Sequence, residues 1–137
     1  MNTGMTVIYE GNLRNRAEHL KSGNTLITDA PVDNHGKGEA FSPTDLLCTS
    51  LASCMITLMG ITAESKGIKL GNVKADVEKV MYSEPRRVGE IHIALNVQDN
   101  NYSEREKTIL QNAAISCPVA KSLNPEIKQI ISFDYSA

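Results

Sequence analysis

The hydrophobic pattern is dominated by one apolar stretch, residues 46–63, that contains no charged side chain. Just before it, Ser42 suits a helix N-cap, Pro43 suits the first helical position and Asp45 can complete a capping box. Gly67 then provides a stop signal at the C-terminal end. The pattern predicts a helix of roughly 24 residues, about 36 Å long, that is buried on nearly all sides.

This stretch is also long enough to span a membrane. Small polar residues interrupt the apolar run, and no basic cluster flanks it. These two features favour the central helix of a core over a membrane span. A helix this long in a chain of 137 residues also predicts that other elements wrap around it.

Three short segments before the helix have the pattern of strands. They cover residues 6–10, 13–20 and 25–28, and turns containing Gly and Asn separate them. They predict an antiparallel meander, which is marginal by itself and must pack on something else. Residues 31–40, rich in Gly, predict a flexible loop that leads to the long helix.

After the helix, apolar and polar residues alternate with a period of two over 73–78 and 91–98. This alternation predicts two half-buried strands joined by a polar loop at 82–89. Ser103 and Glu106 have the spacing of a second capping box, and they predict a helix that runs to about Ile115.

The last part of the chain predicts a short helix after Pro118 and a closing strand over 127–135. The complete order is βββ-α-ββ-α-(α)-β, which is an α+β pattern. We therefore predict one domain, 1–137, with antiparallel sheets around a long buried central helix.

Composition narrows the possible functions mainly by exclusion. The net charge of −2 provides no basic footprint for nucleic acid. The first residues have neither a positive n-region nor an apolar h-region, so we expect no export. Three widely spaced cysteines argue against a disulfide framework and favour the reducing cytoplasm. The three histidines form no ligand set, so no metal is expected.

The cysteines are the main candidates for chemistry, although a buried cysteine usually behaves as a small hydrophobe. Cys48 and Cys54 are six residues apart, roughly 240° around a helix, so they lie on different faces and cannot pair. Cys117 precedes Pro118 at or near a helix N-cap, where free N–H groups and the dipole favour a thiolate. By local physics alone, Cys117 is the better candidate for a reactive thiol.

Two motifs taken together resemble the OsmC/Ohr family of osmotically inducible and organic hydroperoxide resistance proteins. The first is Ser-Pro-Thr-Asp-Leu-Leu at 42–47 followed by Leu-Ala-Ser-Cys at 51–54, and the second is Cys-Pro-Val at 117–119. The resemblance also covers the βββ start and the loop near Arg86. It implies a cytoplasmic, intertwined homodimer, in which the meander within residues 1–30 is exchanged between subunits, and a peroxidase without metal or organic cofactor.

The resemblance implies roles for two of the cysteines. By motif match, Cys54 is the peroxidatic residue: it attacks an organic hydroperoxide and becomes a sulfenic acid. Cys117 is the resolving residue that condenses with it to a disulfide, and a dithiol reductant of lipoyl or thioredoxin type restores both thiols. Leu51, Met55 and Leu58, together with partner-subunit residues, are expected to line the substrate pocket.

A thiolate at Cys54 needs a nearby cation, because it lies mid-helix in an apolar stretch. The resemblance implies an arginine from the N-terminal strands. Arg14 matches this position first, and Arg16 is the alternative because the strand register is open. Without the resemblance, either arginine would be interpreted as a solvated charged side chain on an edge strand.

The sequence departs from the family at the glutamate that holds this arginine. Thr44 stands ten residues before Cys54, where the family has the glutamate. Asp45 is next to it but is also needed for the helix cap, and Glu39 in the preceding loop is another possible partner. The departure points to a divergent OsmC-like branch.

Three classes of function follow, and the sequence favours the first. The first is a peroxidase that reduces organic hydroperoxides in oxidative stress defence. The second is a protein whose apolar cleft binds a lipid-like or other small ligand, with Cys54 a redox sensor or a spectator; Thr44 in place of the glutamate favours it. The third is a structural protein with three inert cysteines.

Overall fold

The computed structural model describes residues 4–136, which form two compact units divided between Leu47 and Cys48. The N-terminal unit contains an antiparallel meander with the strand order β1-β2-β3. Its strands are β1 (Met5–Gly11), β2 (Arg14–His19) and β3 (Thr25–Asp29). The predicted meander is therefore confirmed, and the loop after it contains a short 3-10 turn, Val32–Asn34.

The first strand leaves a large amount of apolar surface uncovered in the single chain. The side chains of Met5, Val7, Ile8 and Tyr9 are each more than 60% exposed. Successive residues of a strand point to opposite faces of the sheet. Val7 and Ile8 therefore show that both faces of β1 lack apolar cover within one chain.

The long helix α1 spans Pro43–Lys66, as the sequence predicts. Its N-terminus is held by a reciprocal pair of hydrogen bonds. The Asp45 N–H donates to Ser42 Oγ at 3.0 Å, and the Ser42 N–H donates to Asp45 Oδ2 at 3.0 Å. At the other end Gly67 has a φ of +69°, a left-handed conformation that glycine adopts without strain and that stops the helix.

Burial of α1 is one-sided, so the prediction of a helix buried on nearly all sides is wrong for the single chain. A buried stripe is formed by Cys48, Leu51, Ala52, Met55, Met59 and Ala63. Ser50, Ser53, Thr57 and Ile61 are exposed. These residues recur at spacings of three and four, so the small polar groups of the apolar run collect on one face of the helix.

Length and composition alone would allow α1 to cross a membrane. The core helices of many soluble domains have the same length and apolar composition. The buried stripe of α1 belongs to such a core, which it shares with elements later in the chain.

The C-terminal unit contains a mixed sheet with the strand order β4-β5-β6. The strands are β4 (Val73–Tyr82), β5 (Arg87–Val97) and β6 (Lys128–Asp134). Pairing of β4 with β5 is antiparallel, whereas pairing of β5 with β6 is parallel. The prediction of antiparallel sheets is wrong here, because the chain crosses over through α2 (Glu104–Ile115) and α3 (Pro118–Ser122) before it enters β6.

The strands β4 and β5 reach further into the predicted polar loop 82–89 than the alternation indicated. Gly89 lies beneath the Tyr82 ring, and a Cβ at this position would come within 2.2 Å of ring atoms. Only glycine lets the ring pack this closely on the strand.

The core of the C-terminal unit is built from α1, β5 and α2. Along β5 the residues Ile91, Ile93, Leu95 and Val97 are at most 1% exposed. Leu110 and Ala114 of α2 are fully buried as well. The capping box that was predicted at Ser103 and Glu106 is confirmed, and α2 ends at Ile115, just before the second cysteine of the motif pair.

Candidate redox site

Two of the sequence-predicted site residues, Cys54 and Cys117, are brought together in the C-terminal unit. Their side chains are adjacent, close enough for Cys54 to affect the pKa of the Cys117 thiol, and no disulfide joins them. Cys54 is half-buried on α1, whereas Cys117 is fully buried at the N-cap of α3. Solvent therefore reaches one thiol of the pair and not the other.

Local geometry fixes Cys117. Its backbone is extended, Pro118 begins α3, and the Ala120 N–H donates to Cys117 Sγ at 3.4 Å. Burial raises the pKa of the Cys117 thiol, the Ala120 N–H opposes this effect, and the adjacent Cys54 raises the pKa further. The expectation that the N-cap position favours a thiolate here is wrong, because the loss of solvation outweighs the backbone donors.

Cys48 lies on a different face of α1 from Cys54. It belongs to the buried stripe and is 1% exposed. This is the arrangement that the six-residue spacing predicts. No disulfide joins Cys48 to either of the other two cysteines.

The predicted pocket residues differ strongly in accessibility. Leu51 and Met55 are completely buried, and only Leu58 is half-exposed. Leu51 and Met55 face the core of the single chain, and the pocket lined by all three together with partner-subunit residues stays a prediction. Ile61, which no motif in the sequence indicated, is 57% exposed. Its position seven residues after Cys54, two helical turns along the same face, could have identified it.

Arg14, in the N-terminal unit, is held by two carboxylates. Its Nε donates to Asp29 Oδ1 at 2.7 Å, and its Nη2 donates to Asp29 Oδ2 at 2.8 Å. The same Nη2 donates to Glu39 Oε1 at 3.1 Å. Glu39 was one of the partners that the sequence suggested, whereas Asp29 was missed.

Arg14 and Asp29 each stabilise the charged form of the other. The hydrogen bond that Arg14 donates to Asp29 raises the pKa of Arg14, which stays protonated. The same bond holds the pKa of Asp29 below its usual range. Arg14 lies directly opposite Asp29 in the β2–β3 register. Opposite charges at one cross-strand position are the signal that could have found Asp29, once the register was known.

The other predicted supporting residues are engaged locally. Arg16 Nε donates to Glu10 Oε2 at 2.9 Å, and both side chains are partly exposed, so this pair is the ordinary solvated ion pair. Asp45 caps α1, as described above. Thr44 Oγ1 lies 3.2 Å from the Ser42 hydroxyl.

Within residues 4–136, no group of three or more His, Cys, Asp or Glu side chains could hold a metal ion.

The fold and the neighbouring thiols define a class: a small α+β protein with two adjacent cysteines, one on the long helix and one at the start of a short helix. A family model described as OsmC-like protein matches residues 36–132, and the chain belongs to this OsmC-like family. The resemblance stated from the sequence motifs is therefore confirmed.

Solved structures share the fold of this chain. A Psychrobacter arcticus 273-4 protein, provisionally named an osmotic stress induced and detoxification response protein, is 52% identical, with a TM-score of 0.90 over 97% of this chain and 96% of that one. An organic hydroperoxide resistance protein OsmC from Legionella pneumophila is 20% identical, with a TM-score of 0.74 over 98% and 97% of the two chains. A comparison with curated proteins gave no match.

A third solved structure contains a bound ligand. It is an organic hydroperoxide resistance protein, provisionally named, from Vibrio cholerae O1 biovar eltor str. N16961 with captopril bound in one of its active sites. It is 14% identical, with a TM-score of 0.73 over 95% of this chain and 90% of that one. At this identity the likeness concerns the fold alone.

Proposed function

We propose that this protein is a thiol-dependent peroxidase that reduces organic hydroperoxides to alcohols. The observation that carries the proposal is that a half-buried Cys54 lies beside a fully buried Cys117 in an OsmC-like fold. An accessible thiol can meet a substrate, and a buried thiol beside it can trap the product of that encounter.

The reaction balances in three steps. The Cys54 thiolate attacks the terminal oxygen of R–O–O–H; the O–O bond breaks, and the alkoxide takes up a proton to leave as the alcohol. The resulting sulfenic acid condenses with the Cys117 thiol, which forms a disulfide and releases water. A dithiol of lipoyl or thioredoxin type then reduces the disulfide and is itself oxidised. The reducing cytoplasm is the compartment that suits this cycle.

Apolar surface near Cys54 supports a preference for bulky organic hydroperoxides. Leu58 and Ile61 follow Cys54 on one face of α1 and remain partly or largely exposed. Covering apolar surface contributes about 25 cal/mol per Å². Hydrogen peroxide offers almost no such surface, so its reaction gains little from these side chains.

A second candidate function is binding of a small apolar ligand, with Cys54 as a redox sensor and without efficient peroxidase activity. The charge around Arg14 favours this alternative. One guanidinium faces two carboxylates, Asp29 and Glu39, so the group carries a formal net charge of −1. An arginine that is compensated in this way attracts a thiolate less than an uncompensated one.

Peroxide consumption by the purified protein tests the proposal. Cumene hydroperoxide and hydrogen peroxide are compared under dihydrolipoamide and then under thioredoxin, with Cys54→Ser as the control. We expect turnover with cumene hydroperoxide to exceed that with hydrogen peroxide at least tenfold, and to vanish in Cys54→Ser. Equal efficiency with both substrates would refute the preference, and absence of turnover would favour the ligand-binding alternative.

A further inference from the structure

We propose that Gln129 is the positioning residue that holds Cys117 beside Cys54, because its side chain tethers the short helix α3 to strand β6. This inference rests on the proposed function, since it assigns Gln129 a part in the step that forms the disulfide. All of the residues concerned belong to the C-terminal unit.

The helix α3 is too short to be rigid by itself. It has five residues, and none of them is buried. Isolated helices shorter than about 12 residues are marginal in water, so one turn of helix depends on contacts with the rest of the fold. The last carbonyl groups of a helix also lack a partner within it. A hydrogen bond from another element to one of these carbonyls therefore fixes the position of α3.

Cys117 is bound to α3 by two hydrogen bonds. The Ala120 N–H donates to Cys117 Sγ at 3.4 Å, and the Lys121 N–H donates to the Cys117 carbonyl at 3.2 Å. One bond holds the sulfur and the other holds the backbone of the same residue. A displacement of α3 therefore displaces the thiol as well.

Gln129 provides the hydrogen bond from β6 to α3. Its Nε2 donates to the Ala120 carbonyl at 3.2 Å, so Ala120 binds Gln129 with its carbonyl and Cys117 with its N–H. Gln129 shares a face of β6 with Ile131 and Phe133, and all three side chains are half-buried. An amide among apolar side chains is costly unless it is hydrogen-bonded, and the bond to α3 meets this need.

The position of Cys117 becomes important once Cys54 has been oxidised. The Cys117 sulfur attacks the sulfur of the Cys54 sulfenic acid, the S–S bond forms, and the hydroxyl group leaves with the thiol proton as water. A misplacement of about 1 Å can slow a reaction between two held groups about a hundredfold. Loss of the Gln129 tether should therefore slow formation of the disulfide and leave the first attack by Cys54 unchanged.

The experiment follows both thiols with dithiodipyridine, an aromatic disulfide, in the intact reduced protein. Cys54 attacks the reagent and releases one pyridinethione. Cys117 then attacks the Cys54 sulfur, its proton passes to the second pyridinethione, and the protein disulfide forms. Stopped-flow absorbance separates the first phase, which depends on reagent concentration, from the second, which does not. Cys117→Ser should abolish the second phase, which assigns that phase to Cys117.

In Gln129→Met, which keeps the length of the side chain but has no donor, we expect the second phase to slow at least tenfold. The first phase should change less than twofold. Gln111→Met is the matched control, because Gln111 Nε2 donates to the Tyr135 hydroxyl at 3.1 Å and this bond involves α2 rather than α3. Both of its phases should stay within twofold of the wild type. A second phase of wild-type rate in Gln129→Met, or equal slowing in both variants, would overturn the proposal.

Gln129→Glu keeps the test decisive if Gln129→Met does not fold, which circular dichroism would reveal. The ionised carboxylate has nearly the shape of the amide but cannot donate to the Ala120 carbonyl, so the second phase should again slow at least tenfold. A wild-type second phase in this variant would contradict the proposal. If the wild type consumes no hydroperoxide and the two phases still separate as described, the peroxidase assignment fails and the positioning role stands.

Discussion

At the scale of single residues, burial distinguishes the three cysteines more sharply than sequence context does. Cys48 and Cys117 are at most 1% exposed, whereas Cys54 is half-buried. Local context favoured Cys117 as the reactive thiol because of its N-cap position. Tertiary burial makes Cys54 the more accessible thiol instead. No local pattern in the sequence predicts this burial.

Mild oxidation should join Cys54 to Cys117 and leave Cys48 as a thiol. The contact between the first two side chains permits the bond, whereas Cys48 lies on another face of α1. Peptide mapping after treatment with tert-butyl hydroperoxide checks this expectation. A major disulfide that contains Cys48 would show the assignment to be wrong.

Reduction of this disulfide should begin at Cys54. An incoming thiol must reach the sulfur that it attacks, and Cys117 has no exposed surface. With 2-mercaptoethanol and a rapid acid quench, the mixed disulfide is expected on Cys54, with at least tenfold less on Cys117. The oxidised protein in guanidinium chloride is the control, since unfolding should distribute the adduct over both sites. A folded-state adduct mainly on Cys117 contradicts the argument from burial.

At the scale of elements, the caps and periodicities predicted where most helices and strands lie, but not how they pair. Ser42 and Gly67 bracket α1 in the sequence as they do in the structure. The direction of β6 depends on the path through α2 and α3, which no residue pattern encodes. The partnership of Arg14 with Asp29 was missed for a similar reason, because it depends on the β2–β3 register.

The ion pair across β2 and β3 should make stability depend on pH in the acid range. Arg14 holds the pKa of Asp29 below its usual range, so the stabilisation is complete above the unfolded value of about 3.9 and is lost as pH falls through the folded value. Thermal unfolding of the wild type and Asp29→Asn should therefore differ most above about pH 5, and the difference should shrink as pH falls below about 4 towards the folded pKa. A difference that stays constant across this range would contradict the assignment.

At the scale of the whole molecule, one chain leaves apolar surface uncovered in each of its two units. Val7, Ile8 and Tyr9 are exposed on β1, and Ile61 is exposed on α1. Composition did not predict this exposed apolar surface, because the apolar content of 41% is ordinary. The proposed intertwined homodimer, with the meander exchanged between subunits, would cover these surfaces.

Sedimentation at micromolar concentration should give twice the chain mass of 14.9 kDa. Val7→Glu should weaken the dimer at least tenfold, because it introduces a charge on an exposed apolar position of β1. Gln98→Glu is the matched control, since it adds the same charge at an exposed polar position and should leave the dimer intact. A folded wild-type monomer would exclude the proposed exchange of strands.

The most direct test of the central claim is a single turnover of the reduced protein with one equivalent of cumene hydroperoxide and no reductant, followed by intact mass spectrometry. We expect one equivalent of cumyl alcohol and a wild-type chain lighter by two hydrogen atoms. We also expect a Cys117→Ser chain heavier by one oxygen atom, and a Cys54→Ser chain that is unchanged. Alcohol formation by Cys54→Ser, or a wild-type chain that stays fully reduced, would contradict the proposed reaction.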